Sequence, residues 1–315
     1  MLSRAADNIY WMARYVERAE NIARLLDVVL RNDMLFPVGD ACTAGRDHWR
    51  APLLMTGTLD DFNQRYGELS SGRVTAYMIL DKDNPASIKT AIGRARENAR
   101  ATRYILTTDL WESLNQTWLP LSNLDYPALK KQGVEETLEW VRDRSHLFRG
   151  TLYSSMRRGD GFYFARLGNF VERADNTARL LLAMIPSLTC RDLGVLGGGV
   201  DFYRAGVLLH ALSAFKGYRE IFSSRMETVS IMELLVSRPD MPQSLMFCLN
   251  EIVTLLDRLN SRGQARENAR HLRYRLETVN IPDLMRIGMV GFLEAFAREI
   301  AAIANGIQSD FMLTP

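Results

Sequence analysis

The stretch Tyr15-Val16-Glu17-Arg18-Ala19-Glu20-Asn21 returns as Phe170-Val171-Glu172-Arg173-Ala174-Asp175-Asn176, 155 residues further along the chain. The match runs on through Ala23-Arg24-Leu25-Leu26 and Ala178-Arg179-Leu180-Leu181. Downstream, Trp49-Arg50-Ala51 faces Tyr203-Arg204-Ala205 at an offset of 154, and Pro85-Ala86-Ser87 faces Pro242-Gln243-Ser244 at 157. Three matches at nearly one offset point to a tandem duplication, which must be recognised before any element is assigned. One match breaks this register: Ala95-Arg-Glu-Asn-Ala-Arg100 recurs as Ala265-Arg-Glu-Asn-Ala-Arg270, 170 residues on. Either residues were inserted near 257–264, or two helix surfaces share a composition by chance.

The repeated stretch is helical. At about 100° per residue, Ile9, Met12, Val16, Ala19, Ala23, Leu26 and Leu30 fall on one face of a helix over 4–31. The same period predicts helices over 85–107, 126–158, 161–184, 242–260, 264–278 and 283–305. Asp47 and Asp201 stand where N-caps of matched helices are expected, and Pro85 and Pro242 suit a first helical turn. Val74 to Leu80 has the composition of a strand but no partner strand, so it is read as a buried helix. Arg158-Gly159-Asp160-Gly161 reads as a helix stop followed by a new cap, at the join of the halves. The expected fold is therefore all-α: a helical bundle of two tandemly duplicated units, 1–158 and 159–315, in a pseudo-twofold relation and packed as one globular unit.

Composition narrows the function. Among 315 residues, 39 basic groups face 37 acidic ones, a balance unlike that of a nucleic-acid or membrane-surface binder. No stretch approaches the roughly 18 uncharged apolar residues of a membrane span. Cys42, Cys190 and Cys248 are scattered without CxxC spacing, as in a cytosolic protein with reduced thiols. Met1-Leu2-Ser3-Arg4 leads into a charged amphipathic helix, not the apolar core of a signal peptide, so a cytoplasmic location is expected.

The candidate chemistry lies on the repeated helices. Taking Glu17 as zero, Asn21, Arg14, Arg24 and Tyr10 lie within about 60° of it, with Glu20 to the other side. The second copy sets Glu172, Asn176, Arg179 and Asp175 at the same angles, with Arg18 and Arg173 beside the glutamates. Ala13 and Gly168 occupy matched positions where a small side chain permits close approach. Two readings stay open. The stripes are buried ion-pair seams supported by i,i+4 pairs, or they are a cleft in which Glu17 and Glu172 do acid–base work while the arginines hold an anionic substrate. Asp7, Asn8, Tyr10 and Trp11 precede the motif and could line the same cleft.

Other motifs carry less. His48, His146, His210 and His271 lack metal-ligand spacing, so neither a metal nor any other cofactor is expected. Gly197-Gly198-Gly199 lacks a phosphate-loop pattern, and neither a GxSxG serine nor a cysteine with a placed base is present. Six arginines between Arg258 and Arg275, with Arg258, Arg262, Arg266 and Arg270 on one side, read as a solvated helix face or as a dock for an acidic partner.

The opening Met-Leu-Ser-Arg-Ala-Ala-Asp-Asn-Ile-Tyr-Trp-Met-Ala-Arg-Tyr-Val-Glu-Arg-Ala-Glu-Asn resembles the start of the bacterial alpha-E domain family. Leu80-Asp81 with Asn84-Pro85-Ala86-Ser87-Ile88, Arg96-Glu97-Asn98-Ala99-Arg100, Trp111-Glu112 and Leu114-Asn115 fit the same pattern, as does the second Val-Glu-Arg-Ala-Asp-Asn helix. The resemblance covers essentially the whole chain. It implies an all-helical protein whose relatives are encoded beside, or fused to, a circularly permuted ATP-grasp protein, often near a transglutaminase-like protein. That company implies ATP-dependent amide-bond formation on a peptide or small metabolite. The carried-over motif is Arg14, Glu17, Arg18, Glu20 and Asn21, with Glu172, Arg173, Asp175 and Asn176; Asn169 stands where the first copy has Arg14. Three classes of function compete: an accessory subunit of an ATP-grasp amide ligase that binds its peptide or amino-acid-like substrate or the ligase itself, an enzyme acting on such amides through the Glu/Arg stripes, and a helical scaffold. The first is favoured, because no complete catalytic constellation is visible.

Overall fold

A computed structural model describes residues 3–35, 49–188, 199–222, 226–261 and 263–312. Among these residues the chain is all-α, with sixteen α-helices. They fall into two compact units, Met1–Asn169 and Phe170–Pro315. The first contains α1 (Ser3–Leu35), α2 (Arg50–Thr56), α3 (Leu59–Tyr66), α4 (Ser71–Ile79), α5 (Ile88–Ala101), α6 (Thr108–Asn123), α7 (Tyr126–Gln132) and α8 (Val134–Ser155). Helix α9 (Asp160–Leu188) begins in the first unit and continues into the second. The second unit adds α10 (Gly199–Ala211), α11 (Phe215–Phe222), α12 (Thr228–Met232) prolonged by a π-helical turn Glu233–Ser237, α13 (Leu245–Arg258), α14 (Gln264–Glu277), α15 (Ile281–Ile287) and α16 (Met289–Phe311).

Helix α1 is the axis of the first unit. It lies against α5 on one side and α8 on another, and α6 closes the ring by packing on both of those. The face expected from the period is buried from Ile9 to Leu26, but so are Tyr10, Ala13, Ile22, Leu25 and Val29 around the rest of the helix. A helix apolar on all sides belongs inside a bundle rather than on its surface. Small residues set how closely its neighbours approach. A Cβ on Gly168 would sit 2.3 Å from the Tyr10 carbonyl oxygen, so the first turns of α9 cross α1 at van der Waals distance, as the pairing of Ala13 with Gly168 suggested.

Several boundaries differ from the sequence reading, each for a local reason. Pro85 and Pro242 precede their helices; the caps are Ser87 and Ser244, whose hydroxyls accept the N–H of Thr90 and Phe247. A serine that can satisfy an orphan N–H outweighs the mild preference of proline for the first turn. The runs expected over 126–158 and 283–305 are broken at Gly133 (φ +99°) and Gly288 (φ +154°), conformations other residues rarely adopt. Asp201 lies inside α10, which starts at Gly199. Asp47, His48, Cys42, Cys190, Arg262 and most of the Gly-rich segment lie outside the described residues. Val74 to Ile79 is helical and largely buried, as expected. The arginines from Arg258 to Arg270 do not share a helix, because α13 ends at Arg258 and Asn260 turns the chain with φ +51°.

Some helix caps and ends recur at nearly one spacing. Helices α5 and α13 both have fourteen residues, capped by Ser87 and Ser244, 157 positions apart. Asp125 and Asn280 cap the short proline-bearing helices α7 and α15, and Gly133 and Gly288 end them, each pair 155 apart. Residues 95–100 lie on α5 and 265–270 on α14, the next helix in the order, and only 259–263 separate α13 from α14. That connection leaves no room for an insertion, so the second Arg-Glu-Asn-Ala-Arg is a coincidence of helix surface.

The close crossing of α1 and α9 makes Gly168→Ala an overpacking change, expected to cost about 1–3 kcal/mol. Gly150, exposed in α8 with open space where a methyl group would stand, should instead gain about 0.5–1 kcal/mol as alanine. Thermal melting of the two variants should move in opposite directions.

Candidate functional site

Helix α1 carries acids into its own packed interior. Glu17 and Glu20 are 1% and 3% exposed. An ionised carboxylate in such surroundings needs a cation and further donors. Both come from neighbours in the fold. Arg149, on α8, donates through Nη1 to Glu17 Oε2 at 3.0 Å and also to Glu20 Oε2. Asn169, from the first part of α9, donates to Glu17 Oε2 at 3.2 Å and to the Ala13 carbonyl at 3.4 Å. Arg24 donates to Glu20 Oε1 at 2.5 Å, and His146 Nε2 lies 3.2 Å from the same oxygen. Further along the helix, the buried Asp27 takes Arg31 at 3.0 Å and Arg142 of α8 at 2.9 Å. Acids 17, 20 and 27 of α1 and bases 149, 146 and 142 of α8 thus form one seam.

Burial works against the ionised form of Glu20. Hydrogen bonds from His146 and Arg149, with the charges of Arg149 and Arg24, outweigh it and hold the carboxyl well below the ordinary glutamate value of 4.5. Glu17 is thus buried and ion-paired, and its partner Arg149 of α8 stands in neither repeated motif. The arginines of the first motif meet aromatic rings. Arg14 stacks over Trp11 at 4.5 Å and donates to the buried Tyr10 hydroxyl at 3.4 Å. Arg18 stacks over Tyr15 at 5.4 Å. Asn21 is buried, and its Nδ2 meets no hydrogen-bond partner among the described residues. In the second unit Glu172 is also buried, Arg173 lies over Phe170 at 5.3 Å, Asp175 pairs with Arg179 at 2.9 Å, and Asn176 is half-buried.

A different side of α1 opens onto space. A cleft of about 540 Å³ lies between α1, one face of α5, the loop before it and α6. Trp11, Tyr15 and Trp118 give it an aromatic lining. Gly93 makes room for Trp118: a Cβ there would meet the indole at 2.9 Å. Lys82, Lys89 and Arg94 bring positive charge, and none of the three forms an ion pair among the described residues. Lys89 is only 8% exposed, with its Nζ donating to the Leu124 carbonyl at 2.8 Å. Burial, and then the charge of Lys82, push its ammonium below the usual lysine range. Arg94 lies over the Tyr15 ring at 5.8 Å. The acids of the cleft are less available. Glu97 is engaged by Arg96 and Arg100, and burial pushes the Asp7 carboxyl up against the opposing hydrogen bond to Trp11.

Of the cleft, sequence reasoning named Asp7 and Trp11 but missed Lys82, Lys89, Arg94 and Trp118, which share no motif. It also missed Arg149, although the spacing of Arg142, His146 and Arg149 along one helix face complements the acids of α1. Among the described residues no cluster of His, Cys, Asp or Glu could hold a metal ion, and no helix is long and apolar enough to cross a membrane.

Glu17→Gln should lower stability by about 3 kcal/mol, the low end for breaking a buried pair, because Arg149 keeps Glu20. Since the folded Glu20 carboxyl lies below its unfolded value, its contribution is present above the unfolded pKa and lost as pH falls toward the folded one. The melting-temperature gap between the wild type and Glu20→Gln should therefore be widest near neutrality and narrow steadily below pH 4.5.

No curated protein and no solved structure matches the chain. Residues 1–312 match a family described as a predicted alpha-helical domain with a conserved ER motif. Glu-Arg occurs twice in this sequence, at Glu17-Arg18 and Glu172-Arg173, and in each the glutamate is buried while the arginine stacks on an aromatic ring. With all but the last three residues covered, the chain belongs to the Alpha-E family.

Proposed function

We propose that this chain is the accessory subunit of an ATP-dependent amide ligase of the circularly permuted ATP-grasp type, and that the cleft of its first unit holds the peptide or amino-acid-like substrate. The observation that carries the reading is the lining of that cleft. Aromatic rings suit the apolar part of such a molecule, and three cations that form no ion pair among the described residues suit an anionic group. The partnership with the ligase, and with a transglutaminase-like protein acting on the same material, rests on the company this family keeps. Activity of its own through Glu17 is less well supported. General acid–base work needs a carboxyl free to exchange a proton near neutrality, whereas Glu17 and Glu20 are held by Arg149, Arg24 and Asn169.

A tandem duplication belongs to the same reading. Its support is the paired caps Ser87/Ser244 and Asp125/Asn280. On this view one copy retains a binding cleft, and the other serves the architecture or the docking of the ligase.

The test mixes the purified chain with the circularly permuted ATP-grasp protein of the same host and measures co-purification and ATP turnover with a mixed peptide pool. The chain should bind and stimulate turnover. Trp11→Ala should cut the stimulated rate at least tenfold, about 1.4 kcal/mol, with a melting temperature within a few degrees of wild type. Glu17→Gln should lose activity only as it loses folded protein. A chain that neither binds the ligase nor changes its turnover contradicts the proposal.

A further inference from the structure

Lys89 is a nearly buried cation at the edge of the cleft, with its ammonium against the C-terminal end of α6. It is 8% exposed, its nitrogen meets one carbonyl oxygen, and no carboxylate pairs with it among the described residues. Burying an ammonium costs free energy that Asp125 offsets only from beyond ion-pair distance, and a cation so placed in a cleft is a candidate for binding an anion. The second unit supplies an internal comparison. Helices α5 and α13 have the same length and the same serine cap, so position 89 corresponds to Met246, which is 4% exposed, and position 94 to Glu251. Lys82 corresponds to Pro239 in the loop before the cap. Thr90 corresponds to Phe247, whose ring packs at 6.0 Å from Phe170, the counterpart of Tyr15. A helix of this kind is thus built in the second unit with methionine, phenylalanine and glutamate where the first unit has its cleft residues.

We infer that the cleft recognises the free carboxylate of its ligand, taken by Lys89 and Arg94 at the first turns of α5, with a flat or bulky apolar side chain of that ligand lying between Trp11 and Trp118. This rests on the reading of the cleft as a peptide or amino-acid site and specifies which end of the molecule it holds. Lysine supplies a point charge and arginine a planar fork suited to a carboxylate. The N-terminal end of a fourteen-residue helix adds a favourable field for an anion. The indoles contribute area for an apolar group, with Trp118 held flat against α5 by the absence of a side chain at Gly93. The ligand class that follows is a peptide with a free C-terminus and an aromatic or large aliphatic last residue.

The experiment uses the chain alone, without the ligase. A mixed pool of N-acetylated tripeptides with free C-termini is equilibrated with it across a dialysis membrane, beside the same pool amidated at the C-terminus, and the retained peptides are identified by mass spectrometry. The free-acid pool should be retained at least tenfold better, enriched in aromatic and large aliphatic last residues. Arg94→Glu, an exposed change to the residue of the second unit, and Lys89→Met should each reduce retention of the free acids by tenfold or more and leave the amidated pool unaffected. Lys89→Met gives up the hydrogen bond to Leu124, so its retention is read per folded protein, and Arg94→Glu, at an exposed position, carries the decision. Equal retention of both pools, or unchanged retention by Arg94→Glu, overturns the carboxylate inference while leaving a peptide site in place. Retention of neither pool overturns the inference and the peptide reading together. Displacement of the free-acid peptides by a nucleoside monophosphate at lower concentration than by N-acetyl-phenylalanine also overturns it, in favour of a phosphate.

Discussion

Helix α1 is enclosed on nearly every side, yet it carries Glu17, Glu20 and Asp27 into the interior. That combination constrains the first unit more tightly than any apolar contact. Each carboxylate must meet a cation at hydrogen-bonding distance, and the cations sit on α8 at a spacing that matches. The register of α1 against α8 is therefore chosen by charge as well as by shape, since a slip of one turn would leave acids and arginines unpaired in a poorly solvated space. Magnitudes separate this seam from ordinary surface pairing. An exposed i,i+4 pair contributes a few tenths of a kcal/mol, whereas breaking a buried pair costs about 3–5 kcal/mol. The pairs along α14, such as Arg273 with Glu277, belong to the first kind, and Arg149 with Glu17 to the second.

With α1 held by α8 on one side, its opposite side is free to present Asp7, Trp11 and Tyr15 to one face of α5. The Glu-Arg pair at the heart of the helix serves both directions. Glu17 turns inward to Arg149, and Arg18 turns to the ring of Tyr15, which lines the cleft. The motif most visible in the sequence thus borders the cleft without supplying its cations. On the proposed reading, function resides in residues placed on the scaffold rather than in the scaffold itself.

The helical class, the buried face of α1 and the close approach at Gly168 were legible because each depends on local period or on one missing side chain. The caps were half legible: Ser87 and Ser244 stood in the matched segments, but proline drew the helix start too early. Arg149 was not legible as the partner of Glu17, because an arginine on an amphipathic helix looks the same whether it faces solvent or a carboxylate of another helix. The cleft was the least legible. Its lining comes from the start of α1, a loop, one face of α5 and Trp118 of α6. Only the tertiary arrangement joins Trp11 to Trp118 and leaves Lys89 and Arg94 without an ion pair among the described residues. Charge balance over the whole chain concealed this local surplus, since nearly equal totals of acid and base say nothing about which of them meet.

The central claim is that ligand binds on the α5 side of α1, while the α8 side is structural. The chain has five tryptophans, and they report on these places separately: Trp11 and Trp118 line the cleft, Trp111 lies under Arg96 and Arg103, and Trp140 sits on α8. Labelling the full chain with 5-fluorotryptophan and titrating it with the free-acid tripeptide pool, while following fluorine resonances assigned by single Trp→Phe changes, tests the claim most directly. The account predicts saturable shifts at Trp11 and Trp118 with Trp140 unmoved. Retention of the peptides with Trp11 and Trp118 both silent would contradict it and place the ligand elsewhere.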